Sequence, residues 1–350
     1  MMLKPEREIS MNENRFYIRQ YPVDSFYHGG IGYRDAEEVF KRQNFIPIAF
    51  PFYDTFSLVA KVSRIFYLLG ILLETRKRSC IIFLFPVFAR MNRLLIRLSV
   101  SGKTRRLICF IADVDGIKDG NQKLLKKEIA ELKRYRYFIV HNDSMAQWLR
   151  SHVPEANIAT IEFFDFLTYP FLGNRTKDGQ IVFAGNLEKS KFLESLGLLK
   201  EKSPGLHFNL YGPGITAVMQ SQDNVTYHGV MKPYELPLKL NGSFGLVWDG
   251  DSIEGPGGSL GDYMKYISHH KLSLYIVSGL PLIVPEMAAS APLVRKYGIG
   301  ITVGNLAEIE QKINDISPEW YQEMIQNMKP LAKKICNGDC IAEALNQLIK

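Results

Sequence analysis

The chain has 350 residues, of which 46% are hydrophobic and 23% charged, a balance that is ordinary for a globular protein. The length predicts two domains, because single hydrophobic cores stop growing at about 250–300 residues. Four scattered cysteines (Cys80, Cys109, Cys336 and Cys340) argue against a disulfide framework and a zinc site, and favour a reducing cytoplasm.

The net charge of +7 is unevenly distributed. Residues 1–170 hold 26 Lys and Arg against 18 Asp and Glu, whereas residues 171–350 hold 17 against 18. This asymmetry predicts that the two halves meet different partners. The most apolar stretch, residues 56–73, carries Lys61 and Arg64, and the N-terminus lacks the apolar region of a signal peptide. We therefore expect a cytoplasmic protein.

Strand and helix patterns alternate along the first half. Strands are predicted at residues 15–23, 45–50, 79–87, 106–112 and 137–140, and helices at 34–43, 58–73, 88–100, 124–135 and 144–152. This alternation is typical of a doubly wound parallel sheet and therefore of an α/β fold. Two loops within it contain candidate site residues. Residues 24–33 include Gly29 and Gly30, and residues 113–120 include Asp113 and Asp115.

The alternation restarts after a predicted linker at residues 169–180. Strands are predicted at residues 181–184, 207–211, 225–228, 244–247, 281–284 and 300–303, and helices at 192–200, 233–240, 271–278, 288–296, 318–336 and 340–349. A long glycine-rich loop is predicted at residues 248–261. The boundaries of the two domains are therefore expected at residues 1–170 and 171–330, with the last helix, about 331–350, packing back on the first.

Glycine turns follow four strands of the second half, at Gly185-Asn186, Gly212, Gly229 and Asp249-Gly250. Ligands of open parallel sheets bind beyond the carboxyl ends of the strands, so these turns indicate a site where something approaches the backbone closely. The fingerprint GxGxxG is absent after the first strand, and GxxxxGK[ST] is absent throughout.

The segment at residues 262–285 joins a loop, a helix, a turn and a buried strand. The helix begins at Lys271 and ends at Gly279, since glycine accepts the left-handed conformation at a helix C-terminus. A lysine at a helix N-terminus is suited to holding a phosphate. The alternative is a surface helix with a solvated lysine.

Five motifs in this order resemble the C-terminal domain of a GT-B glycosyltransferase: FAGNLEK, LYGPG, YHGVMKPYELPLKL, GLVWDG and HHKLSLYIVSGLPLIV. They are most similar to the bacterial glucosyltransferase-3-like family, which includes β-galactofuranosyltransferases. The similarity covers residues 181–304 and is weaker in the first half. It implies two Rossmann-like domains that face a central cleft, the first binding an acceptor and the second a UDP-sugar.

The resemblance also implies contacts to the donor. Lys271 matches the lysine that holds the diphosphate, and Lys189 is a second phosphate contact. Val230 and Met231 correspond to the backbone that meets the base. The other residues expected at the donor site are Gly29, Gly30, Gly185, Asn186, Tyr211, Gly212, Asp249, Tyr266, His270, Leu272 and Ser273. Leu274 stands where related families place a ribose-binding glutamate, and Ala112 where a histidine is often found.

An inverting transfer needs a base for the acceptor hydroxyl and positive charge on the leaving diphosphate. Asp113 is the first candidate for the base and Asp115 the second; both could equally be cap or turn formers. Lys271, Lys189 and the helix N-terminus suit the second role, so neither a metal nor a cofactor is expected. The DxD sequence Asp113-Val114-Asp115 lies in the first half, on the acceptor side.

The predicted function is therefore transfer of a hexose (galactofuranose, glucose or galactose) from a UDP-sugar to a saccharide acceptor in synthesis of a bacterial surface polysaccharide or glycoprotein glycan. The alternatives are a nucleotide-sugar epimerase or hydrolase, and a non-catalytic partner subunit of a glycosyltransferase complex. Nucleic acid is not an expected partner, because the basic excess carries no ordered aromatic platform.

Basic residues flank the predicted helix at residues 88–100, which also carries Leu94, Leu95, Ile96 and Leu98. Such a face could rest peripherally on an anionic membrane and reach a lipid-linked acceptor. A solvated face beside a core helix is the alternative. The basic residues are Arg90, Arg93, Arg97, Lys103, Arg105 and Arg106. The sequence leaves the oligomeric state, including a homo-oligomer, open.

Overall fold

The computed structural model describes residues 14–20, 30–51, 57–75, 79–100, 105–171 and 173–349. Within these ranges the strands form two parallel sheets of six strands each. The prediction of an α/β protein with two doubly wound sheets is confirmed.

The first sheet has the strand order β2-β1-β3-β4-β5-β6. Its strands are β1 (Asn14–Ile18), β2 (Ile46–Ile48), β3 (Ser79–Phe85), β4 (Arg105–Ile111), β5 (Tyr137–Val140) and β6 (Asn157–Thr160). Its helices are α1 (Ile31–Arg42), α2 (Leu58–Glu74), α3 (Arg90–Val100), α4 (Asp115–Lys118), α5 (Gln122–Leu132) and α6 (Asp143–His152). All seven residues of β3 are buried, which explains its continuous apolar sequence, since helices cover both faces of the sheet.

The second sheet has the order β12-β11-β10-β7-β8-β9. Its strands are β7 (Gln180–Ala184), β8 (His207–Tyr211), β9 (Val225–Tyr227), β10 (Phe244–Leu246), β11 (Leu282–Pro285) and β12 (Gly300–Val303). The helices that follow are α7 (Ala217–Gln220), α8 (Gly258–Tyr263), α9 (His270–Val277), α10 (Ala291–Tyr297), α11 (Ile309–Asn314), α12 (Pro318–Asn337) and α13 (Asp339–Ile349), with 3-10 helices at Lys191–Leu199, Leu236–Leu238 and Leu306–Glu308.

Several short elements differ from the sequence prediction. β6, α7 and α11 were not predicted, because elements of four to six residues give too little periodicity to detect. The loops predicted at residues 113–120 and 248–261 contain α4 and the start of α8. The helices predicted at residues 192–200 and 233–240 are 3-10 helices at Lys191–Leu199 and Leu236–Leu238, where Gly197 and Pro237 disfavour an α-helix.

The last helix returns to the first sheet. Gly338 adopts a φ of 87° between α12 and α13, and α13 then packs against β5, β6 and α1. The Asp165 carboxylate accepts hydrogen bonds from the Cys340 and Ile341 amides at 3.1 and 2.9 Å, at the start of α13. Arg106 donates from Nη1 to the Leu348 and Ile349 carbonyls at its end. Both ends of α13 are therefore fixed to the first half of the chain.

Packing of β10 against α9 requires a glycine at position 245. A Cβ atom there would lie 2.2 Å from Cγ of Tyr275, whose hydroxyl accepts a hydrogen bond from the Ala184 amide at 2.9 Å. We predict that Gly245→Ala lowers the free energy of unfolding by about 1–3 kcal/mol, because the ring cannot move without losing that bond. The measurement is the midpoint of thermal unfolding.

Gly70→Ala in α2 is the matched control, since no atom lies within 4 Å of the added methyl group. Removing a helical glycine should raise stability by about 0.5–1 kcal/mol. Equal midpoints for the two variants would contradict this account of the β10–α9 contact.

Candidate active site

A cavity of about 570 Å³ lies between the carboxyl ends of the two sheets. The residues after β4 and β5 line one side, and those after β7 and β8 line the other. Facing strand ends of this kind are where open parallel sheets bind ligands. Of the predicted site residues, the cavity brings together Asp113, Gly185, Asn186, Lys189, Tyr211, Gly212, Met231, His270 and Lys271.

The turns after β7 and β8 pack directly on each other. Gly212 has a φ of 127°, and a Cβ atom on it would lie 1.9 Å from the Gly185 carbonyl oxygen. The hydroxyl of Tyr227 donates to the Gly212 carbonyl at 3.0 Å and holds this turn in place. The second sheet therefore presents main chain rather than side chains to the cavity at these two positions.

Lys271, in the first turn of α9, lines the cavity and is held by a carboxylate that lies behind the lining. Its Nζ atom lies 3.0 Å from Oδ1 of Asp249 and 4.3 Å from the centroid of the Phe183 ring. Nε2 of His269 lies 2.7 Å from the other Asp249 oxygen. Burial alone would raise the pKa of Asp249, but Lys271 and His269 outweigh burial and hold the pKa below its ordinary value. Asp249 thus stays ionised and positions the lysine from outside the cavity lining.

The next two residues of α9 point away from the cavity. Leu272 is fully buried, and its amide donates to the His269 carbonyl at 3.0 Å. The Ser273 hydroxyl donates to the Phe164 carbonyl at 2.6 Å, which ties α9 to the segment after β6. Neither residue is among those that line the cavity, although both were predicted to contact the donor.

Asp113 faces the cavity with two partners. Oδ2 lies 2.9 Å from Nζ of Lys118, and Oδ1 accepts a hydrogen bond from the Tyr263 hydroxyl at 3.2 Å. The same hydroxyl accepts from the Val114 amide at 2.8 Å, so Tyr263 of α8 clamps the loop after β4. Asp115 begins α4 and does not line the cavity; burial raises its pKa above the ordinary value.

Two histidines line the cavity: His141 is buried and His270 is partly buried. Nε2 of His141 lies 3.1 Å from the Ala112 carbonyl, and Nδ1 accepts from the Ser268 amide at 3.3 Å. The ring of His270 lies near Phe164 and Phe166, and its Nε2 atom is buried without a hydrogen-bond partner. Burial lowers the pKa of each histidine to about 4, so both are neutral at pH 7.

The remaining predicted residues lie outside the cavity lining. Gly30 precedes α1, Val230 is exposed beside Met231, and Tyr266 packs against the core of the first sheet. Gly29 lies outside the described residues. The described residues contain no group of three or more His, Cys, Asp or Glu side chains that could hold a metal ion.

Other residues that line the cavity were not predicted to do so, including Tyr33, Phe164, Phe166, Pro213 and Ser268. Phe164 and Phe166 follow β6, which itself gave no detectable pattern. Gly32-Tyr33 was recognised only as part of a glycine-containing loop, and Pro213 as part of a glycine turn. Nothing in the local sequence marked Ser268 as a contact of His141.

Two domain models of one protein family match successive parts of the chain, the N-terminal model first and the C-terminal model second. The N-terminal domain of the glucosyltransferase 3-like family matches residues 16–163, and its C-terminal domain matches residues 181–348. The chain belongs to the glucosyltransferase 3-like family.

Curated relatives in this family are named glycosyltransferases. The chain is 29% identical over 252 residues to β-1,6-galactofuranosyltransferase WbbI of Escherichia coli (strain K12), which covers 70% of this chain and 71% of the relative. It is 31% identical over 116 residues to glucosyltransferase 3 of Streptococcus gordonii, covering 33% and 34% of the two chains. The predicted membership of the glucosyltransferase-3-like family is thereby confirmed.

Solved structures share the fold at low sequence identity. Anabaena Alr3699/HepE in complex with UDP-glucose superposes with a TM-score of 0.60 at 10% identity, covering 95% of this chain and 99% of that one. S. aureus TarM, crystallised with UDP among other ligands, gives 0.54 at 14% identity, with coverages of 81% and 58%. The predicted GT-B fold of two Rossmann-like domains is confirmed.

The lowered pKa of His270 leads to a prediction for stability at low pH. Its pKa is lower in the folded protein, about 4, than the ordinary value of 6.5, so the unfolded chain binds the proton more readily between these values. The stability that it contributes is present above pH 6.5 and is lost as the pH falls towards 4. His270→Phe should weaken the acid-induced loss of stability by up to about 3 kcal/mol.

The measurement is the midpoint of thermal unfolding between pH 7 and pH 4. His152→Phe, at the end of α6 away from the cavity, controls for removal of a histidine elsewhere. An acid profile of His270→Phe that superimposes on the wild-type profile would contradict the assignment.

Proposed function

We propose that the protein is a glycosyltransferase that transfers a hexose from a UDP-sugar to a saccharide acceptor. The observation that carries this proposal is the placement of Lys189, Lys271 and Asp113 around one cavity between facing strand ends. The lysines lie on the second sheet's side and the carboxylate on the first sheet's side. The arrangement matches the separate needs of a donor diphosphate and an acceptor hydroxyl.

The donor fits the second sheet's side of the cavity. Its diphosphate would bind Lys271 and Lys189 near the N-terminus of α9, where the helix dipole favours negative charge. The glycine turns after β7 and β8 line this side of the cavity, and Gly185 lets the Lys271 side chain pack closely against the main chain. The base would lie near Met231, which is partly buried at the cavity wall.

The relatives' names support the choice of donor sugar. Galactofuranosyltransferase and glucosyltransferase are the activities named for the two relatives, and UDP-glucose and UDP were bound by the structural neighbours. Galactofuranose, glucose and galactose are therefore the proposed donor sugars. The proposed setting is synthesis of a bacterial surface polysaccharide or glycoprotein glycan.

The ribose hydroxyls of the donor require a binding partner other than a glutamate in this chain. Leu274 lines the cavity one turn after His270, so an apolar side chain stands where related families place a glutamate. The Gly212-Pro213 turn offers main-chain groups on the same side of the cavity. We assign the ribose hydroxyls to that turn.

The proposed reaction is a direct displacement that inverts the anomeric centre. The acceptor oxygen forms a bond to the anomeric carbon while the bond from that carbon to the diphosphate oxygen breaks. The electron pair of the broken bond leaves with the diphosphate, which Lys271 and Lys189 stabilise without a metal ion. The hydroxyl proton passes to Asp113, which Lys118 and Tyr263 hold in place.

Nucleotide binding tests the donor site. UDP at a hundredfold excess over its dissociation constant should stabilise the protein by about 2.7 kcal/mol, measured as a thermal shift, with ADP and GDP weaker. Lys271→Met should abolish the shift, because the ammonium at the diphosphate is lost. Lys265→Met is the matched control, since Lys265 pairs with Asp262 on the surface.

A UDP shift that survives Lys271→Met would mean that the diphosphate binds elsewhere. No shift of the wild type with any nucleotide would favour the non-catalytic partner subunit over an enzyme.

Turnover tests the proposed base. Asp113→Asn should reduce kcat by about 10²–10⁴-fold while leaving the UDP shift unchanged, because the amide cannot accept the proton. Asp115→Asn, whose side chain does not line the cavity, should lose far less activity. Equal losses in the two variants would refute Asp113 as the base.

A further inference from the structure

One face of the first domain exposes large apolar side chains over the full length of α2. Seven large apolar residues of this helix are exposed, with solvent-accessible fractions from 43% for Val62 to 77% for Leu58. They are Leu58, Val59, Val62, Ile65, Phe66, Leu69 and Leu73. Their spacing places them on one side of the helix, and the buried residues Ala60, Leu68 and Ile71 lie on the opposite side.

α3 packs beside α2 and extends this surface. Leu94 and Leu98 of α3 are exposed, and Phe88 just before it is also exposed. Contiguous apolar surface of this extent marks an interaction site more often than a bare solvated face. We call the exposed sides of α2 and α3, together with Phe88, the α2–α3 face.

The charges on this face are mainly positive. Leu58–Glu74 and Arg90–Val100 contain five basic residues and a single acid, Glu74 at the end of α2. One of the five, Arg64, lies on the buried side of α2, where its Nε donates to the Ala60 carbonyl. Arg90 and Arg93 are exposed, and Arg97 reaches Glu131 of α5 at 3.6 Å. Lys61 is exposed at the edge of the apolar side of α2.

Not all of the basic residues predicted for this surface belong to it. Arg105 donates to the Leu72 and Thr75 carbonyls at the end of α2. Arg106 binds the end of α13 on the other face of the sheet. Lys103 lies outside the described residues. The structure thus removes two arginines from the predicted lipid face and adds the apolar side of α2.

We propose that the α2–α3 face docks the protein peripherally on an anionic lipid surface. Apolar side chains flanked by lysine and arginine are the combination that inserts at the boundary of headgroups and acyl chains while binding anionic headgroups. Pairing of this face with a second copy would bring like charges of both copies together, which opposes association. The described residues contain no helix long and apolar enough to cross a membrane.

This docking would serve the proposed function without being part of its chemistry. The cavity opens between the carboxyl ends of the strands, and α2 and α3 lie on one face of the first sheet, which is the acceptor side. An acceptor anchored in the same lipid surface would then be presented to the domain that carries Asp113.

Vesicle co-sedimentation of the full chain tests the proposal. The protein should bind vesicles that contain phosphatidylglycerol at low salt, bind pure phosphatidylcholine vesicles weakly, and lose most binding at high salt, because salt screens the headgroup attraction. Arg90→Gln combined with Arg93→Gln should weaken binding by about thirtyfold, since each basic residue near the surface contributes about 1 kcal/mol.

The apolar part of the face is tested by the triple variant Ile65→Ser, Phe66→Ser and Leu69→Ser, which should reduce binding by at least about a hundredfold. Leu198→Ser with Leu238→Ser is the matched control, since both residues are exposed on the second domain. Lys329→Gln with Lys333→Gln on α12 controls for charge. All variants should keep the wild-type melting temperature and UDP shift, which separates docking from donor binding.

Absence of vesicle binding at low salt would overturn the proposal, as would equal binding by the triple variant and its control. Light scattering after gel filtration is the second measurement, and it gives the oligomeric state of each variant. A wild-type dimer that the triple variant converts to a monomer, with no vesicle binding, would assign the face to a second copy instead.

Discussion

The cavity depends on hydrogen bonds that cross from the second half of the chain to the first. Tyr263 of α8 places its buried hydroxyl between the Val114 amide and the Asp113 carboxylate, at the end of β4. A few residues later, Ser268 binds His141 and Asn142 at the end of β5. A buried polar group without its partner is costly, so these bonds hold the two sets of strand ends opposite each other.

The same segment then continues into a helix that packs within the second half of the chain. After Ser268 the chain enters α9, which packs against β11 and α12 of the second half. The residues between Tyr263 and α9 thus join a contact with the first sheet to the helix that carries Lys271.

Sequence reasoning was most successful where the local pattern alone determines the structure. The continuous apolar residues of β3 and the glycine that ends α9 are local features, and both were located from the sequence. Lys271 and Gly212 reached the cavity because strand ends of a parallel sheet meet at one edge. Tyr263 and Phe166 could not be assigned in this way. Their positions depend on contacts between residues far apart in the chain, which no periodicity records.

The predicted residues that lie elsewhere illustrate the same limit. Leu272 and Ser273 were expected at the donor site, but in α9 the Leu272 side chain is buried and the Ser273 hydroxyl binds the Phe164 carbonyl. A helix N-terminus is visible in a sequence, whereas its rotation is set by packing. Val230 is exposed although its neighbour Met231 lines the cavity.

The contacts of the basic residues explain where the positive excess of the first half of the chain lies in the structure. On the second sheet's side of the cavity, Lys271 is paired with Asp249, so the positive charge there is local and does not come from a net surplus. The basic residues of the first half include arginines that bind carbonyls inside the fold, such as Arg105 and Arg106, and arginines exposed on α3. Salt should therefore weaken contacts of the α3 arginines more than contacts of Lys271, because salt screens exposed charges more strongly than partly buried ones.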